Sequence, residues 1–271
     1  MKIATWNING VNGRLALLLE WLEAAKPDVV CLQELKAAPA RFPAAALSRA
    51  GYEAVWAGEK SWNGVAILAR GALPIETRRA LPGDPRDTEA RYVEAAVDGV
   101  LIASLYVPNG NPVETRIDRK RRWISRFLKH AEGLIEYPAI LAGDFNIIPT
   151  ERDVYNPARW QGDALFLPEM RTAFTALLGQ GWLDSLDVMQ PTGERFTFWD
   201  YKRNAWQRNA GLRLDHILIS PPISGALQAA EVDREMRGKT GASDHAPVWA
   251  RLSLTKKDMS ESSSCAGAAR R

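Results

Sequence analysis

The 271-residue chain contains little cysteine and no long apolar run. Cys31 lies in an apolar stretch and Cys265 lies near the carboxyl end, so the pair cannot supply the framework of a disulfide-rich domain or a cysteine metal site. No stretch reaches the roughly 18 apolar residues of a membrane span, and the first residues turn polar at Thr5, so we also expect no signal peptide. These absences favour a cytoplasmic protein without a membrane partner.

Net charge is small as well, at +3 for the whole chain. Four basic residues against two acidic ones in residues 256–271 account for most of it, so global charge says little about a polyanionic partner. The exception is residues 116–129, RIDRKRRWISRFLK, with seven basic residues against Asp118. Such a run is either a solvated helix face or a surface that contacts phosphates.

Apolar strands alternate with helical stretches along most of the chain, and this alternation predicts an α/β fold. The predicted strands are Lys2–Trp6, Val29–Leu32, Gly64–Ala69, Tyr92–Val97, Leu101–Tyr106, Ala139–Ala142, Leu214–Ser220 and Val248–Leu254. The predicted helices are Leu15–Ala25, Ala44–Ala50, Arg116–Glu132 and Pro168–Gly179. Several strands are continuously apolar, which indicates sheets covered on both faces. We expect one domain over residues 1–255 and a disordered tail over 256–271.

Polar side chains recur where these strands end or in the adjoining loops. In ILAGDFNIIP, the two-residue period of a strand would place Asp144 and Asn146 on one face, with Phe145 on the other. Comparable positions are Asn7, Glu34, Tyr106, Asp215, Asp244 and His245. Ligands of α/β proteins bind at strand ends, so we expect these groups to converge.

Each of these residues also has a plain structural explanation. A lone Asn after a strand is commonly a turn residue, Glu34 could cap a helix or lie on the surface, and His245 could be a hydrogen-bonded core histidine. Asp215 is harder to dismiss, because an unpaired carboxylate within a strand is costly. Together the carboxylates and amides form the oxygen-rich set that Mg²⁺ or Mn²⁺ prefers, which indicates phosphate chemistry.

The motifs then resemble a known family. WNING, LQE, GDFN and SDHAP occur in this order, with GLRLDHIL preceded by FTFWDY and AWQRN. Together they resemble exodeoxyribonuclease III and the AP endonucleases of the endonuclease/exonuclease/phosphatase superfamily, over residues 1 to about 254. The resemblance implies a DNase I-like fold, a four-layered sandwich of two mixed β-sheets flanked by helices.

The resemblance also implies roles for the polar residues. Metal-site residues would be Asn7, Glu34, Asp144, Asn146, Asp244 and His245, with Mg²⁺ as the cofactor and Mn²⁺ as a substitute. Catalytic residues would be Tyr106, Asp144, Asn146, Asp215 and His245, with Asp215 orienting the imidazole. DNA-binding residues would be Asn109, Phe198, Trp199, Arg208, Asn209 and Leu212.

Phe198, Trp199 and Leu212 would line a pocket for a sugar without its base, since an extruded abasic sugar is recognised by a pocket unsuited to a normal nucleotide. Leu212 stands where some relatives carry a bulky aromatic, and this difference bears on the balance between endonuclease and exonuclease activity. Backbone contacts would come from Asn109, the basic run at 116–129 and the loop YKRNAWQRN.

The sequence therefore predicts a metal-dependent DNA phosphodiesterase of base excision repair, acting in the bacterial cytosol. It would cut duplex DNA 5′ to abasic sites, trim or clean 3′ ends, and work as a monomer. One alternative is a phosphatase or phosphodiesterase of the same superfamily that acts on inositol or lipid headgroups. A second is an inactive DNA-binding protein of the same fold.

Overall fold

The structure is a computed structural model that describes residues 1–254. The strands of this part are β1 (Lys2–Asn7), β2 (Val29–Gln33), β3 (Tyr52–Ala57), β4 (Val65–Arg70), β5 (Ile75–Arg78), β6 (Tyr92–Val97), β7 (Val100–Tyr106), β8 (Ala139–Asp144), β9 (Leu183–Asp184), β10 (Asp215–Ile219), β11 (Leu227–Val232) and β12 (Val248–Leu252). The α-helices are α1 (Leu15–Ala25), α2 (Ala44–Arg49), α3 (Val113–Glu132), α4 (Pro168–Gly179), α5 (Ser185–Met189) and α6 (Pro221–Ser224). The tail predicted at 256–271 lies outside the described residues.

The strands form two mixed six-stranded sheets, in the orders β11-β12-β1-β2-β4-β3 and β5-β6-β7-β8-β10-β9. Each sheet has a parallel pair, β1 with β2 and β7 with β8. The inner faces share one apolar core, which includes Ile3, Ile67, Ile102, Ile140 and Ile217. On the outer faces, α1 and α2 cover the first sheet, and α3 and α4 cover the second. This arrangement confirms the predicted four-layered fold class.

The eight predicted strands are the interior strands of the two sheets, and the four that were not predicted are the sheet edges, β3, β5, β9 and β11. The cause is burial. All four residues of β5 are exposed, and only the two end residues of β3 are buried. An edge strand that faces water needs no continuous apolar run, so its sequence resembles a loop.

The four predicted helices are all present. Those at Leu15–Ala25 and Pro168–Gly179 have the predicted bounds. The helix predicted from Arg116 begins earlier, at Val113, directly after Pro112. Among residues 1–254, no helix is long and apolar enough to cross a bilayer.

A buried ion-pair cluster lies beneath the second sheet. The Arg213 guanidinium donates to Asp184 Oδ2 at 2.8 Å and to Asp153 Oδ1 at 2.7 Å, and His216 Nδ1 lies 3.0 Å from Asp184 Oδ2. His216 therefore has a structural role, on the opposite face of β10 from Asp215. Burial raises the pKa of Asp184, but Arg213 and His216 outweigh it and hold that pKa well below its usual range.

We expect Asp184→Asn to lower the free energy of unfolding at pH 7 by about 3 kcal/mol, because a buried guanidinium loses a charged partner. The folded-state pKa of Asp184 is depressed, so its stabilisation is present above the unfolded-chain pKa of about 3.9 and is lost as pH falls below it. Urea unfolding of wild type and variant at several pH values measures the difference. A gap that stays constant from pH 7 to pH 3 would contradict this account.

Candidate active site

One end of both sheets collects the polar residues. Asn7 ends β1, Glu34 follows β2, and Tyr106 and Asp144 end β7 and β8. Asp215 begins the antiparallel strand β10, and it lies opposite Asp144 in register, as does Tyr106 on the other side. His245 lies in the loop before β12. The convergence expected at the strand ends is therefore present.

Glu34 lies on the first-sheet side of this site. Its Oε1 accepts hydrogen bonds from the Tyr106 hydroxyl at 2.7 Å and from Asn7 Nδ2 at 3.0 Å, and its Oε2 lies 2.8 Å from Lys36 Nζ. Burial raises the pKa of Glu34, but the Lys36 ammonium and the two donors outweigh it and hold that pKa below its usual range. Glu34 is thus an anionic carboxylate held in a fixed orientation.

Asn7 joins this carboxylate to Asp144. Its amide nitrogen also donates to Asp144 Oδ2 at 2.9 Å, and its carbonyl oxygen accepts from the backbone N–H of Asn9. Both Asn7 and Asp144 are buried. The side chain of Asn7 therefore sets the spacing between the two acidic groups.

Asp144, Asp215 and His245 form the most buried part of the site. His245 Nδ1 lies 2.8 Å from Asp215 Oδ2, and His245 Nε2 lies 3.8 Å from Asp144 Oδ2. Thr197 fixes Asp215, because its hydroxyl donates to Oδ2 at 2.6 Å. With Nδ1 committed to Asp215, the other ring nitrogen of His245 points toward Asp144.

Electrostatics couple these three groups. Burial lowers the pKa of His245, but the Asp215 carboxylate beside it outweighs burial, and the net shift is upward. Burial is the main cause that raises the pKa of Asp144, and repulsion from Asp215 adds to it although His245 opposes it. The site therefore combines an imidazolium-favouring histidine with a carboxylate that binds a proton more readily than usual.

Gly143 explains how Asp144 reaches this position. A Cβ at Gly143 would lie 1.9 Å from the carbonyl oxygen of Leu105 on the neighbouring strand. Only glycine permits β7 and β8 to approach so closely here. Their last residues, Tyr106 and Asp144, are thereby held side by side.

Asn146 reaches the site by a different route from the predicted one. The strand ends at Asp144, and Asn146 has a left-handed φ of 49°, so the two-residue period does not extend to it. Instead its backbone N–H donates to Asp144 Oδ1 at 2.8 Å. Its side-chain oxygen accepts from Asn109 Nδ2 at 3.0 Å, so a residue predicted for the metal and catalytic site lies next to one predicted for DNA binding.

Lys120 of α3 stabilises the loop that contains Asn146. Its buried ammonium donates to the backbone carbonyls of Asn109, Asn146 and Ala164. Burial is the main cause that lowers the pKa of Lys120 to about 7. One basic residue of the run at 116–129 thus ties together the loops that follow β7 and β8.

We expect Lys120→Met to lower the free energy of unfolding by about 3 kcal/mol, since three carbonyls lose their shared donor. Lys129→Met on the same helix is the matched control, because Lys129 is exposed, and its effect should stay within about 0.5 kcal/mol. Urea unfolding compares the two variants. Equal stability of Lys120→Met and wild type would show that the ammonium contributes nothing.

Other basic residues of this run pair with carboxylates. Arg119 bonds to Glu89 at 2.7 Å, and Arg121 bonds to Glu169 at 2.7 Å. Arg126 pairs with Asp87. These contacts give the run a structural role, and DNA contact by it stays a prediction.

Of the predicted pocket residues Phe198, Trp199 and Leu212, Phe198 lies beside the histidine. Phe198 is half-buried, and its ring contacts the His245 ring edge-on at a centroid distance of 4.9 Å. Leu212 exchanges backbone hydrogen bonds with Phe198 but is buried, as is Trp199. Of the three, only Phe198 offers substantial exposed surface next to the site, and a pocket role for the other two stays a prediction.

Arg208 and Asn209 lie in the loop that follows these aromatics. Arg208 is exposed. The Asn209 side chain contacts protein partners, because its oxygen accepts from Trp199 Nε1 at 3.1 Å and from Arg234 at 3.0 Å. Their role in DNA binding also stays a prediction.

Sequence reasoning missed three residues of the site, Asn9, Lys36 and Thr197. Asn9 accepts from Lys36 Nζ at 2.6 Å and donates to Asp244 Oδ1 at 2.9 Å. Asp244 therefore contacts Asn9 rather than the carboxylates predicted to share a metal with it. Asn9 lies within WNING, Thr197 lies within FTFWDY, and Lys36 follows LQE by two residues, but their types carry no signal of their own.

The donor set fits a hard divalent cation. Asp144, Asp215 and His245 present donor atoms that all lie within 4.8 Å of one another. Asp215 Oδ1 is buried and has no hydrogen-bond partner among residues 1–254. The carboxylate oxygens of Asp144 and Asp215 suit Mg²⁺ or Mn²⁺, and Glu34 adds a fixed anionic oxygen nearby.

Comparison with known proteins places this site in a family. The profile described as "Endonuclease/Exonuclease/phosphatase family" matches residues 4–245. The chain is 32% identical to exodeoxyribonuclease III of Haemophilus influenzae, over 92% of this chain and 99% of that protein. It is also 32% identical to the DNA repair nuclease APEX1 of Danio rerio, over 92% of this chain and 81% of that protein.

A solved structure agrees in fold. The 3′–5′ exonuclease NExo of Neisseria meningitidis superposes with a TM-score of 0.91 at 38% identity, over 94% of this chain and 100% of that one. Sequence profile, relatives and structure therefore lead to the same assignment. The chain belongs to the endonuclease/exonuclease/phosphatase family.

Proposed function

We propose that this protein is a divalent-metal-dependent DNA phosphodiesterase that incises duplex DNA 5′ to abasic sites and removes nucleotides or blocking groups from 3′ ends. The observation that carries the proposal is the buried group Asp144, Asp215 and His245, joined through Asn7 to Glu34. It combines a proton acceptor, an oriented imidazole and an anionic metal ligand within one strand-end site.

Glu34 and Asp144 would hold the metal, with Asn7, Asn146 and Asp244 as further candidates. Mg²⁺ is the proposed ion and Mn²⁺ its substitute, because the oxygen-rich donors suit both. When bound, such an ion supplies positive charge that neutralises the scissile phosphate. This chemistry accords with the family and with the acidic cluster.

The protein residues would divide the remaining chemistry among them. Asp144 takes a proton from the attacking water as a general base. The oxygen of that water bonds to phosphorus, the bond between phosphorus and the 3′ oxygen breaks, and the leaving 3′ oxygen takes a proton from solvent water. His245, held by Asp215, donates from Nε2 to a phosphate oxygen and stabilises the charge that develops there.

Four residues would position the substrate. Tyr106, whose pKa is raised well above its usual value by burial and by Glu34, stays a neutral hydrogen-bond donor. Asn109 and Asn146 lie together at the mouth of the site and would contact the phosphate backbone. Phe198 lies against His245, where it would face the base-less sugar.

The relatives favour DNA over inositol or lipid headgroups as the substrate. The curated relatives are named exodeoxyribonucleases and a DNA repair nuclease. One solved neighbour, at 37% identity and a TM-score of 0.91, is a variant of the 3′ phosphatase NExo from Neisseria bound to a product DNA hairpin. We further propose that the protein acts as a monomer in the bacterial cytosol, where chromosomal DNA is the partner.

A three-substrate comparison tests the proposal. The full chain is incubated with Mg²⁺ and, in separate reactions, a duplex with one abasic analogue, a 3′-recessed duplex and an inositol polyphosphate. The account predicts that both duplexes are cut and that the inositol polyphosphate is not hydrolysed. Hydrolysis of the inositol polyphosphate alone would establish the rival function. Binding of DNA without cleavage of any substrate would favour the inactive alternative.

A further inference from the structure

Trp62 is the most exposed large apolar side chain of residues 1–254. Three quarters of its surface is accessible. It lies in the loop before β4, where Lys60 and Ser61 are also exposed. A single exposed apolar residue needs no explanation in itself, so its position and backbone decide whether it has a role.

That position is the rim of the candidate site. Lys36 Nζ lies 6.0 Å from the centroid of the Trp62 ring, and the same atom contacts Glu34 Oε2 at 2.8 Å and Asn9 Oδ1 at 2.6 Å. One lysine side chain therefore separates the indole from the Glu34 carboxylate. The Lys36 ammonium is already paired with two oxygens. The group that remains accessible to a ligand here is therefore the aromatic face of Trp62 rather than the lysine.

The loop that carries Trp62 is fixed by its neighbours. The backbone N–H groups of Leu35 and Lys36 donate to the carbonyls of Gly64 and Asn63, at 3.1 and 2.9 Å. Glu59 accepts from the Asn63 side chain and from the backbone N–H of Ala90. The indole is thus held beside the site by the backbone around it, although it buries little of its own surface.

The backbone at Trp62 is also strained. Its φ is 70°, a left-handed value that is costly for a bulky residue. Asn9, Glu34, Lys36 and Asn146, all in or beside the site, have φ values near 50°. Such strain persists where the surrounding structure imposes it, and it clusters at functional sites.

We infer that Trp62 is a stacking platform for an unpaired nucleobase of the DNA strand bound at the site. The inference rests on the proposed function and adds a contact to a base, whereas the proposed site residues contact phosphate and sugar. An indole face stacks on any of the four bases and offers nothing of comparable strength to a base-less sugar. The contact would hold the end of a strand whose terminal base has left the duplex.

Two single strands of equal length and phosphate number test the inference, one of thymidines and one of base-less tetrahydrofuran units. Binding to the full-length protein is measured by fluorescence anisotropy in EDTA, which prevents cleavage. Trp62→Ala should weaken binding of the thymidine strand about fivefold or more and change binding of the base-less strand less than about twofold. Trp62→Phe, which keeps an aromatic face, should restore most of the affinity.

Leu73→Ala is the matched control, because Leu73 is similarly exposed and lies beyond the opposite end of β4. It should leave binding of both strands unchanged. Equal losses on the two strands in Trp62→Ala would overturn the inference in favour of a phosphate contact or a folding defect, and so would unchanged binding of the thymidine strand. Failure of the proposed function would show separately, as a wild-type protein that cuts neither duplex.

Discussion

We expect Asp144→Asn to lower kcat on the abasic duplex by about 10³-fold. The amide keeps the size of the carboxylate and can keep one of the two hydrogen bonds that Asp144 accepts, from Asn7 or from the backbone N–H of Asn146, but it cannot accept a proton from water. It also removes a negative charge from the candidate metal site. KM should change little by comparison, because the contacts proposed for DNA lie at Asn109, Asn146 and Phe198.

The stability of this variant should not fall. The folded-state pKa of Asp144 is raised above the unfolded value, so ionising this carboxylate in the fold costs free energy at neutral pH. An amide removes that cost, and in EDTA the free energy of unfolding should equal or exceed that of wild type. Asp118→Asn makes the same chemical change on the exposed face of α3 and should leave kcat unchanged. Full activity in Asp144→Asn would refute the role assigned to Asp144.

His245→Gln should also lower kcat by about 10³-fold, because the phosphate loses an oriented, charged donor. An effect on stability can be distinguished from an effect on catalysis, because His130→Gln makes the same substitution elsewhere in the fold. His130 Nε2 contacts Tyr92 and Glu94 at 3.1 and 3.0 Å, away from the site. His130→Gln should therefore reduce stability without the loss in kcat.

Asp215 acts through His245, so the two variants should not be additive. Asp215→Asn leaves an amide where the carboxylate holds Nδ1, and we expect a loss of about 10²-fold or more. The double variant should be no worse than the more impaired single variant. Losses that multiply in the double variant would mean that Asp215 acts independently of the histidine.

Burial explains which secondary-structure elements the sequence predicted and which it did not. Interior strands such as β2 and β8 are buried throughout, and they are apolar up to their last residues because both faces are covered. The edges, such as β5, lack that pattern because water covers them. The same contrast explains the basic run of α3, in which Lys120 is buried and Arg119 and Arg121 pair with acids from a loop and from α4. Partners distant in sequence are not visible in a local pattern.

The residues of the candidate site also divide into those that the sequence predicted and those that it did not. Asp144, Asp215 and His245 were predictable from motif and strand position, and they lie together. Asn146 was predicted by strand alternation, but a left-handed turn places it instead, bonded to Asp144 through its own backbone. Asn9 and Lys36 contact the site from left-handed backbone conformations. Their residue types alone did not predict those conformations.

Metal-dependent incision 5′ to an abasic site is tested most directly by mapping the cut made in a duplex with one abasic analogue, with and without EDTA. The account predicts a single incision on the 5′ side of the analogue that leaves a 3′ hydroxyl and a 5′ phosphate. Excess EDTA should abolish the cut, and Mg²⁺ or Mn²⁺ should restore it. Incision that persists in EDTA, or an intact duplex in Mg²⁺ beside hydrolysed inositol polyphosphate, would contradict it.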